Sequence, residues 1–127
     1  MERKRIATAK APGAVGPYSQ AVAADGWLWC SGQIPLDPET GCLVEGSIGA
    51  QTDRVMRNLG AVLEAAGSGF DRVVRCTIYL VRMSDFADVN AAYGKWFEGD
   101  PPARACVAVS ELPKGAEVEI DAVARLD

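Results

Sequence analysis

The sequence predicts an α+β domain: a sheet with two helices laid on one face. Several separate runs alternate apolar and polar residues with a period of two. Two longer segments repeat apolar residues at helical spacing instead. The strands keep one face apolar while the other is mixed.

Taken in order, Trp27-Leu28-Trp29-Cys30-Ser31 follows an Asp25-Gly26 turn and reads as a strand with Leu28 and Cys30 on one face and Trp27, Trp29 and Ser31 on the other. Between Ser47 and Gly67, the residues Ile48, Thr52, Val55, Met56, Leu59, Val62, Leu63 and Ala66 recur at helical spacing, with Ser47 as cap and Gly67 as stop. Val73 to Leu80 is a β-branched run with Cys76, Ile78 and Leu80 on its apolar face and Val73, Arg75, Thr77 and Tyr79 opposite. From Ser84 to about Gly99 a second helix is expected, through Phe86, Val89, Tyr93, Trp96 and Phe97. Pro101 to Ala124 reads as a β-hairpin turned by Leu112-Pro113-Lys114-Gly115. Its first strand sets Ala105, Val107 and Val109 against Arg104, Cys106 and Ala108, and its return strand sets Val118, Ile120 and Ala122 against Glu117, Glu119 and Asp121. The apolar faces meet the core in this reading, so Arg104 looks away from it.

A freely solvated face seldom carries two tryptophans and a tyrosine. The face with Trp27, Trp29 and Tyr79 is therefore expected to be buried against copies of the same chain, in a homo-oligomer whose seams contain the arginine. With 127 residues, 49% of them hydrophobic, the chain can bury about two thirds of its unfolded surface as one domain over residues 1–127.

Thirteen basic against seventeen acidic residues give a net charge of -4, which opposes general attraction to a phosphate backbone and makes nucleic acid an unexpected partner. Arg3-Lys4-Arg5 is the one basic run; no apolar signal region follows it, and no apolar stretch is long enough to span a bilayer. A cytoplasmic protein without membrane contact is expected. The chain has no histidine, which removes the usual base of a nucleophilic triad and the commonest zinc ligand. Cys30, Cys42, Cys76 and Cys106 are too widely spaced for a metal knuckle, so neither a metal, another cofactor nor a disulfide is expected. Chemistry then falls to carboxylates, tyrosine, cysteine, backbone dipoles and arginine. Arg104 has the planar fork that suits a carboxylate or phosphate, the alternative being an arginine solvated on an open sheet.

Several ordered segments together resemble the RidA (YjgF) family. They are Ala11 through Ala21, Ser31-Gly32-Gln33-Ile34-Pro35 with its Gly41 turn, Gln51-Thr52 through Ala65-Ala66-Gly67, Asp85-Phe86-Ala87-Asp88-Val89-Asn90, Pro102-Ala103-Arg104, and Leu112 through Ile120. The resemblance implies a chorismate-mutase-like fold, a mixed and mostly antiparallel sheet, and a homotrimer with three sites in clefts between subunits. It implies hydrolysis of reactive 2-imino and enamine acids, such as 2-iminopropionate and 2-iminobutyrate, to 2-keto acids and ammonia, which protects other enzymes. Carried onto this chain, Arg104 pairs with the substrate carboxylate and Glu119 holds and helps deprotonate the attacking water. Backbone groups near Gly32 and Cys106 orient the nitrogen, and Tyr18, Ser31 and Asn90 line the cleft. The connection from Trp96 to Arg104 is shorter than is usual in the family, which bears on substrate size.

Each position also has a plainer reading. Tyr18 packs over its loop, Asn90 caps a backbone group, Ser31-Gly32 ends a strand, and Glu119 faces solvent like Glu117 and Asp121. Cys106 is a pocket-lining thiol or, alternatively, a nucleophile activated by Arg104. Carboxylate binding without turnover, a chaperone-like role and ribonuclease activity are the functional alternatives.

Overall fold

A computed structural model of the chain describes residues 2–127; Met1, where the expected domain begins, lies outside the described residues. The elements in order are β1 (Arg3–Ile6), β2 (Ala21–Ala24), β3 (Trp27–Gln33), α1 (Ile48–Ala65), β4 (Val73–Leu80), α2 (Phe86–Gly94), β5 (Ala103–Ala108) and β6 (Val118–Arg125). The strands form one sheet in the order β1-β2-β3-β6-β4-β5. Every neighbouring pair is antiparallel except β4 and β5, which are parallel. The predicted α+β class and mixed, mostly antiparallel sheet are thus present.

α1 forms as its sequence dictates. The Ser47 hydroxyl accepts the Ala50 N–H at 3.1 Å, and past its end Gly67, at φ +80°, lets the Ser68 N–H turn back to the Leu63 carbonyl at 2.9 Å. Its stripe of Val55, Met56, Leu59, Val62 and Leu63 is buried, and the helix lies across β3 and β6. Two buried polar side chains interrupt that stripe. Thr52 donates to the Ile48 carbonyl at 2.8 Å, and Asn58 donates to the Leu36 and Ile34 carbonyls at 2.9 and 3.3 Å, fastening the segment that leaves β3.

α2 is shorter than its apolar spacing suggests and ends at Gly94. Trp96 and Phe97 continue the spacing in turns whose N–H groups bond back to Tyr93 and Gly94, and both rings pack against Phe70 with centroids 5.4 and 5.6 Å away. The spacing reported burial, and turns bury side chains as well as a helix does. β1 and β2 have no counterpart in the sequence reading. β1 is the charged edge strand Arg3-Lys4-Arg5-Ile6 with only Ile6 buried, and β2 is mostly alanine, so neither shows a strong strand pattern. The turn joining β2 to β3 is Asp25-Gly26, both at positive φ as a tight hairpin requires.

The hairpin expected from Pro101 to Ala124 does not form. β6 is inserted between β3 and β4, antiparallel to both, and β5 lies on the far side of β4. Sequence proximity favours a hairpin, but α2 supplies the long crossover that a parallel β4–β5 pair needs. Two register shifts complete the sheet. One, between Val73 and Arg75, leaves Val74 exposed and turns Val73 into the core, where a strict alternation had placed it on the mixed face. The other, between Cys30 and Gln33, shapes the site.

Both helices cover one face, over Leu28, Cys30, Cys76, Ile78, Leu80, Ile120 and Ala122, all buried. The opposite face carries Trp29, still 55% exposed, with Val107 and Tyr79 further along. Among the described residues, no helix is long and apolar enough to cross a membrane.

Candidate functional site

The predicted residues gather into two clusters. The first is built on β3, where the step from Cys30 to Gln33 spans only Ala122 to Ile120 of β6, so Ser31 and Gly32 form a bulge rather than a strand end. The bulge lays Gly32 against Glu119. A Cβ built on Gly32 would overlap the carboxylate and stand 2.8 Å from its Cδ, so the missing side chain is what leaves Glu119 its place. Ser31 donates its hydroxyl to the Ser19 carbonyl at 2.6 Å and its N–H to the Gln20 carbonyl at 3.0 Å, stapling the loop before β2 to the bulge. Gln20 is buried and secures that loop from within. It donates to the Pro12 and Thr8 carbonyls at 2.7 and 3.1 Å and accepts the Thr8 N–H at 2.7 Å. On this tied loop Tyr18 is presented outward, 52% exposed, instead of packing down.

The structure separates three carboxylates that alternation alone could not. Glu117 pairs with Arg82 and accepts from Gln51 at 3.2 Å; Asp121 accepts from the Tyr79 hydroxyl and the Thr77 N–H, both at 3.2 Å; Glu119 alone lies on the bulge. Burial, and secondarily the charge of Asp121, push the Glu119 carboxyl above the usual carboxylate range. A carboxylate with raised proton affinity is a better base at neutral pH.

The second cluster lies on the other face. In the parallel β4–β5 register Cys76 stands beside Arg104 and Ile78 beside Cys106, so both β5 residues share the helix-covered face. This reverses the expected orientation of Arg104. The two sides of β5 differ little in hydropathy, and at the sheet edge a long side chain can share a face with the core while its head remains accessible. The guanidinium lies over the rings of Phe86 and Tyr93, 5.5 and 5.3 Å from their centroids, and donates Nη1–H to Oδ1 of Asn90. Asn90 therefore spends its amide oxygen on the arginine and is no backbone cap. Phe86 and Tyr93 are legible in the sequence only as helix spacing, while Asn90 enters through the family resemblance; their shared face is the signal that this turn of α2 is a cradle. Cys106 is half-buried against the core, and burial raises its thiol despite the opposing pull of Arg104, which disfavours a thiolate nucleophile there. Among the described residues, no group of His, Cys, Asp or Glu is arranged to hold a metal ion.

One consequence is open to direct measurement. Gly32→Ala should push the flexible Glu119 side chain out of its place at a cost below about 1 kcal/mol. Urea unfolding checks this, and a larger loss of stability would mean that Glu119 has no room to move aside.

Fold and site together define an α+β protein, two helices on a mostly antiparallel sheet, with an aromatic-cradled arginine on one sheet face and a carboxylate over a glycine bulge on the other. The family model described as Endoribonuclease L-PSP matches residues 8–126. The chain belongs to this family, the RidA/YjgF family. It is 57% identical over 126 residues to Protein DfrA of Myxococcus xanthus, covering 98% of this chain and 96% of that one. It is 48% identical over 122 residues to the human 2-iminobutanoate/2-iminopropanoate deaminase, covering 96% and 89%. The crystal structure of E. coli TdcF with bound serine superposes with a TM-score of 0.92 at 36% identity, covering 96% of this chain and 98% of that one.

Proposed function

We propose that this protein hydrolyses reactive 2-imino and enamine acids, 2-iminopropionate and 2-iminobutyrate among them, to 2-keto acids and ammonia, in clefts between copies of the chain. The observation that carries this reading is the division of the machinery between two faces of the sheet: Arg104 with Asn90 and Cys106 on one, Glu119 with Gly32, Ser31 and Tyr18 on the other. Packed layers stand about 10 Å apart, so one small substrate reaches both clusters only where the arginine face of one copy meets the bulge face of the next. Such contacts are head-to-tail, and where the rotation closes they form rings, of which a trimer is the smallest. The open face around Trp29 offers apolar surface for that contact. The human relative's name and the serine held by TdcF, which presents the same α-carboxylate, favour the same substrate class.

In this cleft the substrate carboxylate pairs with the fork of Arg104, whose plane the Phe86 and Tyr93 rings hold. Water beside Glu119 attacks the carbon of the protonated imine. The C–O bond forms, the C=N electron pair moves to nitrogen to give a neutral amine, and Glu119 takes the proton that the water releases. That proton then passes to the amine, the C–N bond breaks with its pair leaving as ammonia, and the hydroxyl proton passes to Glu119 or water to yield the keto acid.

Two measurements test the reading together. Light scattering should give a mass near three times 13.4 kDa, and an amino acid oxidase generating imine should release keto acid faster when the protein is present. A monodisperse monomer at micromolar concentration would remove the interfacial site. Carboxylate binding by the assembled protein without turnover would replace catalysis by a binding role.

A further inference from the structure

We propose that Asp121, held by Tyr79, is a positioning residue that fixes a negative charge beside Glu119 and so tunes the pH range over which Glu119 acts as a base. The inference rests on the hydrolytic reading above and adds residues that the family resemblance did not supply. Asp121 follows Glu119 by two positions on β6 and so shares its face. Tyr79 stands opposite Glu119, and Thr77 opposite Asp121, in the β4–β6 register. The Tyr79 hydroxyl reaches diagonally to Oδ2 of Asp121 at 3.2 Å, while the Thr77 N–H donates to Oδ1 at 3.2 Å. With both oxygens held, the carboxylate cannot swing away from its neighbour.

Within one copy the surroundings leave Asp121 as the charge nearest Glu119; in the proposed cleft Arg104 of the next copy faces it as well, and is present in parent and variant alike. Just before β6, Glu117 is turned to Arg82 and Gln51. On β4, Tyr79 is opposite, and Arg75 lies further along, opposite Val123. The β3 bulge presents uncharged Ser31 and Gly32, the preceding loop presents Tyr18, and β5 shows Ala105 and Val107 to this face. Burial first and Asp121 second raise Glu119, and burial followed by Asp121 raises Tyr79, which keeps the phenol protonated as the donor. A base of higher proton affinity is stronger once ionised, but ionises at higher pH.

The test replaces the charge and keeps the shape. In the assembled protein with carbon-13-labelled glutamate, Asp121→Asn should move the Glu119 carboxyl titration down by roughly 0.5–1 pH unit. The acid limb of kcat/KM should follow it, with a lower plateau because the base is weaker. Glu117→Gln removes the same net charge and should leave the Glu119 titration in place. Asp121→Ser, also uncharged, gives the same reading should asparagine disturb the β6 pairing. The titration needs no substrate: an unmoved Glu119 in an active enzyme overturns the role of Asp121 alone. A shifted Glu119 in a protein that hydrolyses no imine upholds the charge coupling and overturns the hydrolytic reading.

Discussion

Replacing Arg104 by lysine should lower kcat/KM toward 2-iminopropionate and 2-iminobutyrate by about tenfold or more, and replacing it by alanine should nearly abolish turnover while the oligomer persists. Lysine keeps the positive charge but loses the planar fork, and with it the geometry that the Phe86 and Tyr93 rings and the Asn90 amide impose on the guanidinium. An ammonium grips a carboxylate as a point charge, so the substrate pivots and the imine carbon leaves the line of the water. A charge-assisted hydrogen bond contributes about 1.5–3 kcal/mol, and the loss of one sets the tenfold floor. Because Arg104 sits at the sheet edge over α2, its removal leaves the buried stripes of both helices intact. Steady-state kinetics beside light scattering decide the matter. Full activity in both arginine variants, together with a dead Cys106→Ser, would transfer the chemistry to the thiol.

Glu119→Gln should lower kcat by about 10²–10⁴-fold with KM little changed, since the amide keeps the shape over Gly32 but accepts no proton. The same substitution should stabilise the folded protein at neutral pH. Burial raises the proton affinity of Glu119 in the folded chain above that in the unfolded chain, so native stability falls as pH rises from the ordinary glutamate value through the raised one. Glutamine carries no such penalty. The variant should therefore melt higher than the parent at pH 7, with the gap closing toward pH 4, where glutamate is protonated in both states. Scanning calorimetry at the two pH values reads this directly. A variant less stable than the parent at pH 7 would mean that ionised Glu119 is stabilised by groups it meets in the folded protein.

What could be read from the sequence follows the range of each signal. α1 was legible from cap to stop because Ser47, its apolar stripe and Gly67 are all local. The buried face of β3 was legible for the same reason. The partner of β5 was not, because β4 and β6 both offer alternating apolar residues and only the crossover through α2 decides between them. That choice also decides which side of the sheet Arg104 occupies, so one nonlocal pairing reversed a correct local alternation. Glu119 could not be told from Glu117 and Asp121 by pattern. What distinguishes it is Gly32, distant in sequence and brought over it by a bulge that period-two reasoning reads as a strand ending. Gln20 and Asn58 stand in the sequence only as members of family motifs, because a buried amide acquires its purpose from the carbonyls that the fold brings to it.

The insertion of β6 between β3 and β4 has a consequence for biosynthesis. During translation the two strands that flank the middle of the sheet are made before the one that joins them, so a nascent chain short of Val118 holds two unsatisfied strand edges and an apolar α1 stripe without its floor. β6 pairs with β3 across about ninety residues, and pairing over such distances lengthens folding in general. Glu119 rides on β6, so the proposed base reaches Gly32 only when the sheet is sealed. A fragment ending before Val118 can carry the arginine cradle but lacks the other half of the proposed cleft.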